Sequence, residues 1–100
     1  MNTEIIGKLV ETVRERKRNP QDDSYTCKLL EAGENKLVKK LGEENAEFIR
    51  AFLKESDESV AGEAADIIYH MVVALEYRGV EFEAVLGVLE NRFGKSGIRK

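Results

Sequence analysis

Between Val60 and Tyr77 the chain is apolar on nearly every side of a helix, yet it sets three ionisable residues on one stripe. At about 100° per residue, Val60, Ala64, Ile67, Ile68, Met71, Val72 and Leu75 cover a wide arc. Ala61, Ala65, Val73 and Ala74 extend small or apolar surface over most of the remainder. A segment of that kind belongs inside a helical assembly. Glu63, Asp66 and His70 nevertheless share a strip about 60° wide, joined two turns on by Tyr77. Unpaired carboxylates are costly to bury, and two side by side repel each other. Either the stripe faces water, as acidic residues on helices ordinarily do, or a cation compensates it. The apolar surroundings favour the cation. A single histidine in such a place reads first as a hydrogen-bonded core residue, and Tyr69 and Tyr77 read as packing groups.

The rest of the chain repeats the helical period. Pro20 is the only proline and β-branched alternation is almost absent, so the expected fold class is all-α. The first helix is expected over Glu4 to Arg16, with Ile5, Ile6, Leu9, Val10 and Val13 on one face and Thr3 as its N-cap. A basic loop around Pro20 follows, and Ser24 reads as the N-cap of a short helix ending at Gly33. A long helix is expected over Asn35 to Lys54, and another from Ser56 to Arg78 that stops at Gly79. The last is expected over Glu81 to Phe93, ending at Gly94 before the tail Lys95–Lys100. Short connections between long helices predict an antiparallel bundle. Helices apolar on more than one face would leave patches exposed in a monomer, so completion of the bundle by dimerisation is expected.

The long helix supplies a second set of acids. Leu37, Val38, Leu41, Phe48, Ile49 and Phe52 define its apolar face, and Glu44 falls within that face, where an apolar side chain belongs. Asn45 is on the apolar side as well, and a hydrogen bond is expected for it. Glu47 lies one turn beyond Glu44, and Glu43 points further out. Lys39–Glu43 and Lys40–Glu44 stand at ordinary i,i+4 pairing distance. The turn before Ser56 makes the two helices antiparallel and brings residues 44–47 opposite 63–66. Glu44, Glu47, Glu63 and Asp66 are then expected to converge. Hard oxygen donors suit Mg²⁺ or Mn²⁺. Zinc is a poor match, because Cys27 and His70 are the only residues of their kinds.

Composition narrows the function classes. A chain of 100 residues predicts one domain, 1–100, with a small core that association would reinforce. Sixteen basic against nineteen acidic side chains give a net charge of -3, which speaks against non-specific nucleic-acid binding. A lone cysteine allows no intrachain disulfide, no apolar run nears the ~20 residues of a membrane span, and the start lacks a signal-peptide core. A cytoplasmic protein without a membrane partner is expected.

Gly42-Glu43-Glu44-Asn45-Ala46-Glu47 and Glu63-Ala64-Ala65-Asp66 together resemble the acidic signature of MazG-type all-α nucleotide pyrophosphohydrolases. The flanking Asn19-Pro20, Ser24-Tyr25-Thr26, Lys28-Leu29-Leu30, Gly33, Lys36, Lys40, Tyr69-His70 and Arg78-Gly79-Val80 are similar to the phosphoribosyl-ATP pyrophosphohydrolase family. The likeness covers about residues 5–98. Asn45 stands where family members often carry alanine. The resemblance implies the second step of histidine biosynthesis, in which phosphoribosyl-ATP and water give phosphoribosyl-AMP and pyrophosphate. In many organisms a cyclohydrolase is fused to this enzyme; no such second domain is expected here.

On this reading Glu44, Glu47, Glu63 and Asp66 hold one or more Mg²⁺, because an acidic cluster meets a triphosphate only through cations. Glu43 or Glu47 orients the attacking water as a general base. Ser24, Thr26, Lys28, Lys36, Lys40, His70 and Arg92 form the expected substrate-binding set. Ser24 also has an ordinary capping role, and Lys28 and Arg92 are the residues most easily explained as solvated charges. The competing expectations are a house-cleaning nucleoside triphosphate pyrophosphohydrolase, against which the Ser-Tyr-Thr segment speaks, and a non-catalytic helical dimerisation module.

Overall fold

The computed structural model describes residues 1–93, which form five α-helices: α1 Glu4–Arg18, α2 Tyr25–Ala32, α3 Glu34–Lys54, α4 Asp57–Arg78 and α5 Phe82–Arg92. No strand occurs among the described residues. The expected stop at Gly94 and the tail 95–100 lie outside them.

Local chemistry explains most of the helix ends. Ser24 Oγ accepts from the Cys27 amide and Ser56 Oγ from the Ser59 amide, so both serines cap as their positions suggest. α4 ends on Gly79, whose φ of 84° suits a residue without a Cβ. Gly79 donates to the Glu76 carbonyl and Val80 to the Leu75 carbonyl, the bond pair of a Schellman stop. The α4 carbonyls take a further donor from α1, Lys17 Nζ at 2.8 Å from the Glu76 oxygen. At the other end of the chain the expectation needs correction. Thr3 occupies the N-cap position of α1, but its side chain makes no capping bond. Asn2 Oδ1 instead accepts from the Glu4 amide at 2.9 Å. α1 also runs two residues past Arg16, since Arg16, Lys17 and Arg18 complement its C-terminal carbonyls, and it stops just short of Pro20.

α3 and α4 form an antiparallel hairpin, closed by the short connection at Glu55 and Ser56. The core lies where α1, α2 and the N-terminal part of α3 meet α4. It comprises Val10, Val13, Leu29, Leu37, Val72 and Val73, with Ile6, Leu9, Leu30, Tyr69 and Phe82 against it. Gly33, with φ at 93°, lets the chain turn from α2 directly into α3 and so sets the angle between them.

Within one chain, the expectation that α4 is buried nearly all round does not hold. Only His70, Val72 and Val73 are buried, Ala61 and Ala65 are exposed, and more than a third of Ile68 and Met71 reaches the surface. α4 touches each of the other four helices, but Ile68 and Met71 face an open groove beside α1 and α5 instead of a closed core. The long helix α3 behaves likewise: Phe52 and Leu53 are 69% and 68% exposed. α5 buries no residue at all. A Cα radius of gyration of 15.0 Å, against about 13 Å for a compact chain of this length, reflects the same openness.

Candidate metal and substrate site

The hairpin brings acids from its two arms together. One carboxylate oxygen each from Glu44, Glu63 and Asp66 lies within 4.8 Å of the other two. Glu44 is only 7% exposed, as its position on the apolar face of α3 implies. Glu47, one turn further along α3, acts on Glu63 from the side, so it borders the tight group of three without joining it.

Electrostatically the group is unresolved. The Oε1 atom of Glu63 is sealed from solvent and has no hydrogen-bond partner. Burial, reinforced by the charges of Glu47 and Asp66, raises the Glu63 carboxyl above its ordinary range. The only nearby ammonium that forms an ion pair among the described residues is Lys40, whose Nζ is 3.5 Å from Glu44 Oε2 and 3.6 Å from Glu43 Oε1. The expected Lys39–Glu43 pair is therefore replaced by Lys40 serving both acids. Burial alone would lower the Lys40 pKa, but Tyr25, Glu44 and Glu43 outweigh it and raise it. Four carboxylates with a single shared ammonium, one oxygen orphaned and all donors hard, match the needs of a divalent cation such as Mg²⁺.

A model of the family described as phosphoribosyl-ATP pyrophosphohydrolase matches residues 6–93. The chain belongs to the phosphoribosyl-ATP pyrophosphohydrolase family. It is 38% identical to the phosphoribosyl-ATP pyrophosphatase of Rhizobium rhizogenes, covering 95% of this chain and 91% of that protein. It is 41% identical to the protein of the same name from Erythrobacter litoralis, covering 98% and 92%. It is also 50% identical to the histidine biosynthesis bifunctional protein HisIE of Prochlorococcus marinus, over 92% of this chain but 42% of that protein. The chain thus spans about two fifths of the length of the bifunctional relatives it matches.

The remaining family-implied residues fall into two groups. Around the mouth of the hairpin, Glu43 is exposed and paired with Lys40, and Ser24 commits its hydroxyl oxygen to capping α2. Lys28 and Lys36 are exposed on α2 and α3, and Arg92 is exposed at the last residue of α5, the helix that buries nothing. The second group points inward. Thr26 is buried, its hydroxyl bonded to the Tyr69 hydroxyl. His70 is only 6% exposed, with Nδ1 held 2.8 Å from the Asp66 carbonyl oxygen and Nε2 facing the Tyr25 hydroxyl at 3.5 Å. Both ring nitrogens are thus engaged within the chain, and the ring backs the acidic stripe instead of lying open on it. Tyr77 leaves the stripe altogether. It lines a separate cavity with Pro20, Cys27 and Leu30, and its hydroxyl reaches over Gly33. Asn45 is exposed, not on a buried face, and its hydrogen bond goes to the Leu41 carbonyl at 2.8 Å. Tyr25 is the residue that pattern reading missed. It lies in the Ser24-Tyr25-Thr26 segment that carries the family resemblance but is not among the expected site residues, and the approach of α2 to α4 brings it to His70.

Proposed function

We propose that this chain hydrolyses phosphoribosyl-ATP to phosphoribosyl-AMP and pyrophosphate in the second step of histidine biosynthesis. The observation that carries this reading is the convergence of Glu44, Glu63 and Asp66, with the Glu63 oxygen left without a partner. Family membership and the names of the relatives supply the substrate. On this reading residues 1–100 act as one pyrophosphohydrolase domain in the cytoplasm.

Glu44, Glu63 and Asp66, with Glu47 at their border, would hold Mg²⁺, and Mn²⁺ has the right chemistry to replace it. When bound, the ion polarises phosphoryl oxygens and offsets the charge that grows in the transition state. The protein's own groups do the rest. Glu47, or Glu43 from its more exposed place, takes a proton from the attacking water. Lys40 draws the triphosphate toward the acids, helped by Lys36 and, further out, by Lys28 and Arg92. The N-terminus of α2, with the hydroxyl of Ser24, presents donors suited to phosphate oxygens. Thr26 and His70 act from inside, through the packing that fixes α2 against α4.

The reading includes a homodimer or higher oligomer. Val38, Ile49, Phe52 and Leu53 on α3 are exposed, and a groove of about 640 Å³ between α1, α4 and α5 is lined by Ile6, Val10, Ile68, Met71, Phe82 and Leu86. A second copy of the same open bundle would cover both. Light scattering should give at least twice the chain mass.

The deciding experiment incubates the protein with phosphoribosyl-ATP and with a panel of nucleoside triphosphates, each with and without Mg²⁺. Pyrophosphate release from phosphoribosyl-ATP, only with the ion, is the expected result. Preference for the ordinary triphosphates would move the chain to the house-cleaning pyrophosphohydrolases, and no release from any of them would leave a helical assembly module.

A further inference from the structure

We infer that Tyr25 is the specificity-determining residue for the base: its exposed ring stacks on the adenine of the substrate and favours the N1-substituted, positively charged form over ordinary adenine. The inference deepens the reading of the chain as a phosphoribosyl-ATP hydrolase and rests on it.

Position is the first argument. His70 follows Asp66 by one turn of α4, about 6 Å along the axis, and its Nδ1 lies 2.8 Å from the Asp66 carbonyl oxygen. Its Nε2 faces the Tyr25 hydroxyl at 3.5 Å. The phenol therefore stands about one helical turn from the carboxylate cluster. In a nucleoside triphosphate a single ribose separates the α-phosphate from the base. A nucleotide whose phosphates meet the cluster has its base within reach of Tyr25.

The ring is held in place and still open. Tyr69 stacks on it with centroids 6.2 Å apart and planes 20° from parallel. The His70 ring stands edge-on to both, at 6.2 Å from Tyr25 and 5.0 Å from Tyr69. Tyr69 is tied in turn to Thr26, the residue after Tyr25. Despite these neighbours Tyr25 remains 49% exposed. An aromatic side chain braced on one side and bare on the other offers a flat π system a surface to stack on.

The chemistry of the base supplies the preference. In phosphoribosyl-ATP the second ribosyl group sits on N1 of the adenine. Substitution there makes the ring a much stronger base, so it is protonated and cationic at neutral pH, whereas the adenine of ATP is neutral. A cation is drawn to the face of a phenol ring. The Asp66 carbonyl can only accept, so Nδ1 of His70 carries the proton, and Nε2 is left to accept from the Tyr25 hydroxyl. A phenol that donates gains electron density on its oxygen and ring, which strengthens its hold on a cation.

The test uses the full chain with Mg²⁺ and three competitors of phosphoribosyl-ATP: ATP, N1-methyl-ATP and N6-methyl-ATP. The first methyl group confers the charge and the second does not. The unaltered protein should bind N1-methyl-ATP about tenfold more tightly than the other two. Tyr25→Leu should bring the three inhibition constants together and raise KM for phosphoribosyl-ATP about tenfold with kcat little changed. Tyr25→Phe, which keeps a ring, should retain most of the preference. Proton NMR of the unaltered protein should show contacts between the base of N1-methyl-ATP and the Tyr25 ring, a readout that needs no variant to fold. Absence of those contacts would overturn the inference. So would equal binding of the three nucleotides by the unaltered protein, or tight binding of both methylated ones. A preference that survives in Tyr25→Leu, or an equal loss for all three, would overturn it as well, the latter marking a purely structural role. If the unaltered protein releases no pyrophosphate from phosphoribosyl-ATP, the underlying reading fails first.

Discussion

Two clusters of carboxylates on this molecule are treated in opposite ways. Around Arg14, at the junction of α1 with α4 and α5, Glu83 lies 2.6 Å, Glu11 3.1 Å and Glu76 3.8 Å from the guanidinium. The Arg14 hydrogen bond holds the Glu83 carboxyl below its ordinary range, and the same bond raises Arg14. At the α3–α4 hairpin, Glu44, Glu47, Glu63 and Asp66 share no arginine, and burial with mutual repulsion raises Glu63. A cluster that carries its own cation is part of the architecture. A cluster whose one ammonium, Lys40, reaches only Glu44 is left with excess negative charge that a cation from outside would offset.

That contrast can be broken first at its most consequential residue. Asp66→Asn should cut Mg²⁺-dependent release of pyrophosphate by roughly a hundredfold or more while circular dichroism still reports a helical fold. Full activity in that variant would end the assignment of Asp66 as a ligand. Next in size is a stability effect of reversed sign. Glu63→Gln removes one of the repelling charges, so in chelator it should raise Tm, whereas the rise in Tm that Mg²⁺ gives the unaltered protein should largely vanish. A fall in Tm without metal would mean that Glu63 already has a partner.

The paired cluster should respond the other way. Arg14→Met strands three carboxylates, so Tm should drop by a few degrees while kcat/KM stays close to its original value. A collapse of activity at unchanged Tm would place Arg14 in the site. The smallest effect is in pH. Glu83 is depressed in the folded protein, so its contribution is present above the unfolded carboxyl pKa and fades as pH falls through the lower folded value. The unaltered protein should therefore lose Tm on the acid side of the carboxylate range more steeply than Arg14→Met does. Added salt should shrink the difference, because the pair is largely exposed. Parallel acid limbs would show that the pair contributes nothing.

Local patterns were mostly legible where a residue's role is set by its neighbours along the chain, the cap of α1 being the exception, since Asn2 and not Thr3 accepts there. Ser24 and Ser56 cap, Gly33 and Gly79 turn, and Glu44 is buried because its helical phase is that of Leu37 and Leu41. Antiparallel pairing across one short turn was enough to set Glu44 against Glu63 and Asp66. Phase alone was a poor guide to which apolar faces one chain covers. Ile68 and Met71 share the character of Val72 and Val73 yet stay at the surface, because burial depends on which helices pack there. Tyr77 shows the same limit: its phase matches Asp66 and His70, but two turns along the axis carried it to another cavity.

From the order of residues alone came the helices, the stops at Gly33 and Gly79, the hairpin register and the meeting of acids across it, since all of these arise within a few turns of chain. Tertiary structure alone decided that the His70 Nε2 meets the Tyr25 hydroxyl and that Arg14 gathers acids from three helices. Those outcomes depend on distances between elements far apart in sequence, and helical periodicity carries no information about them.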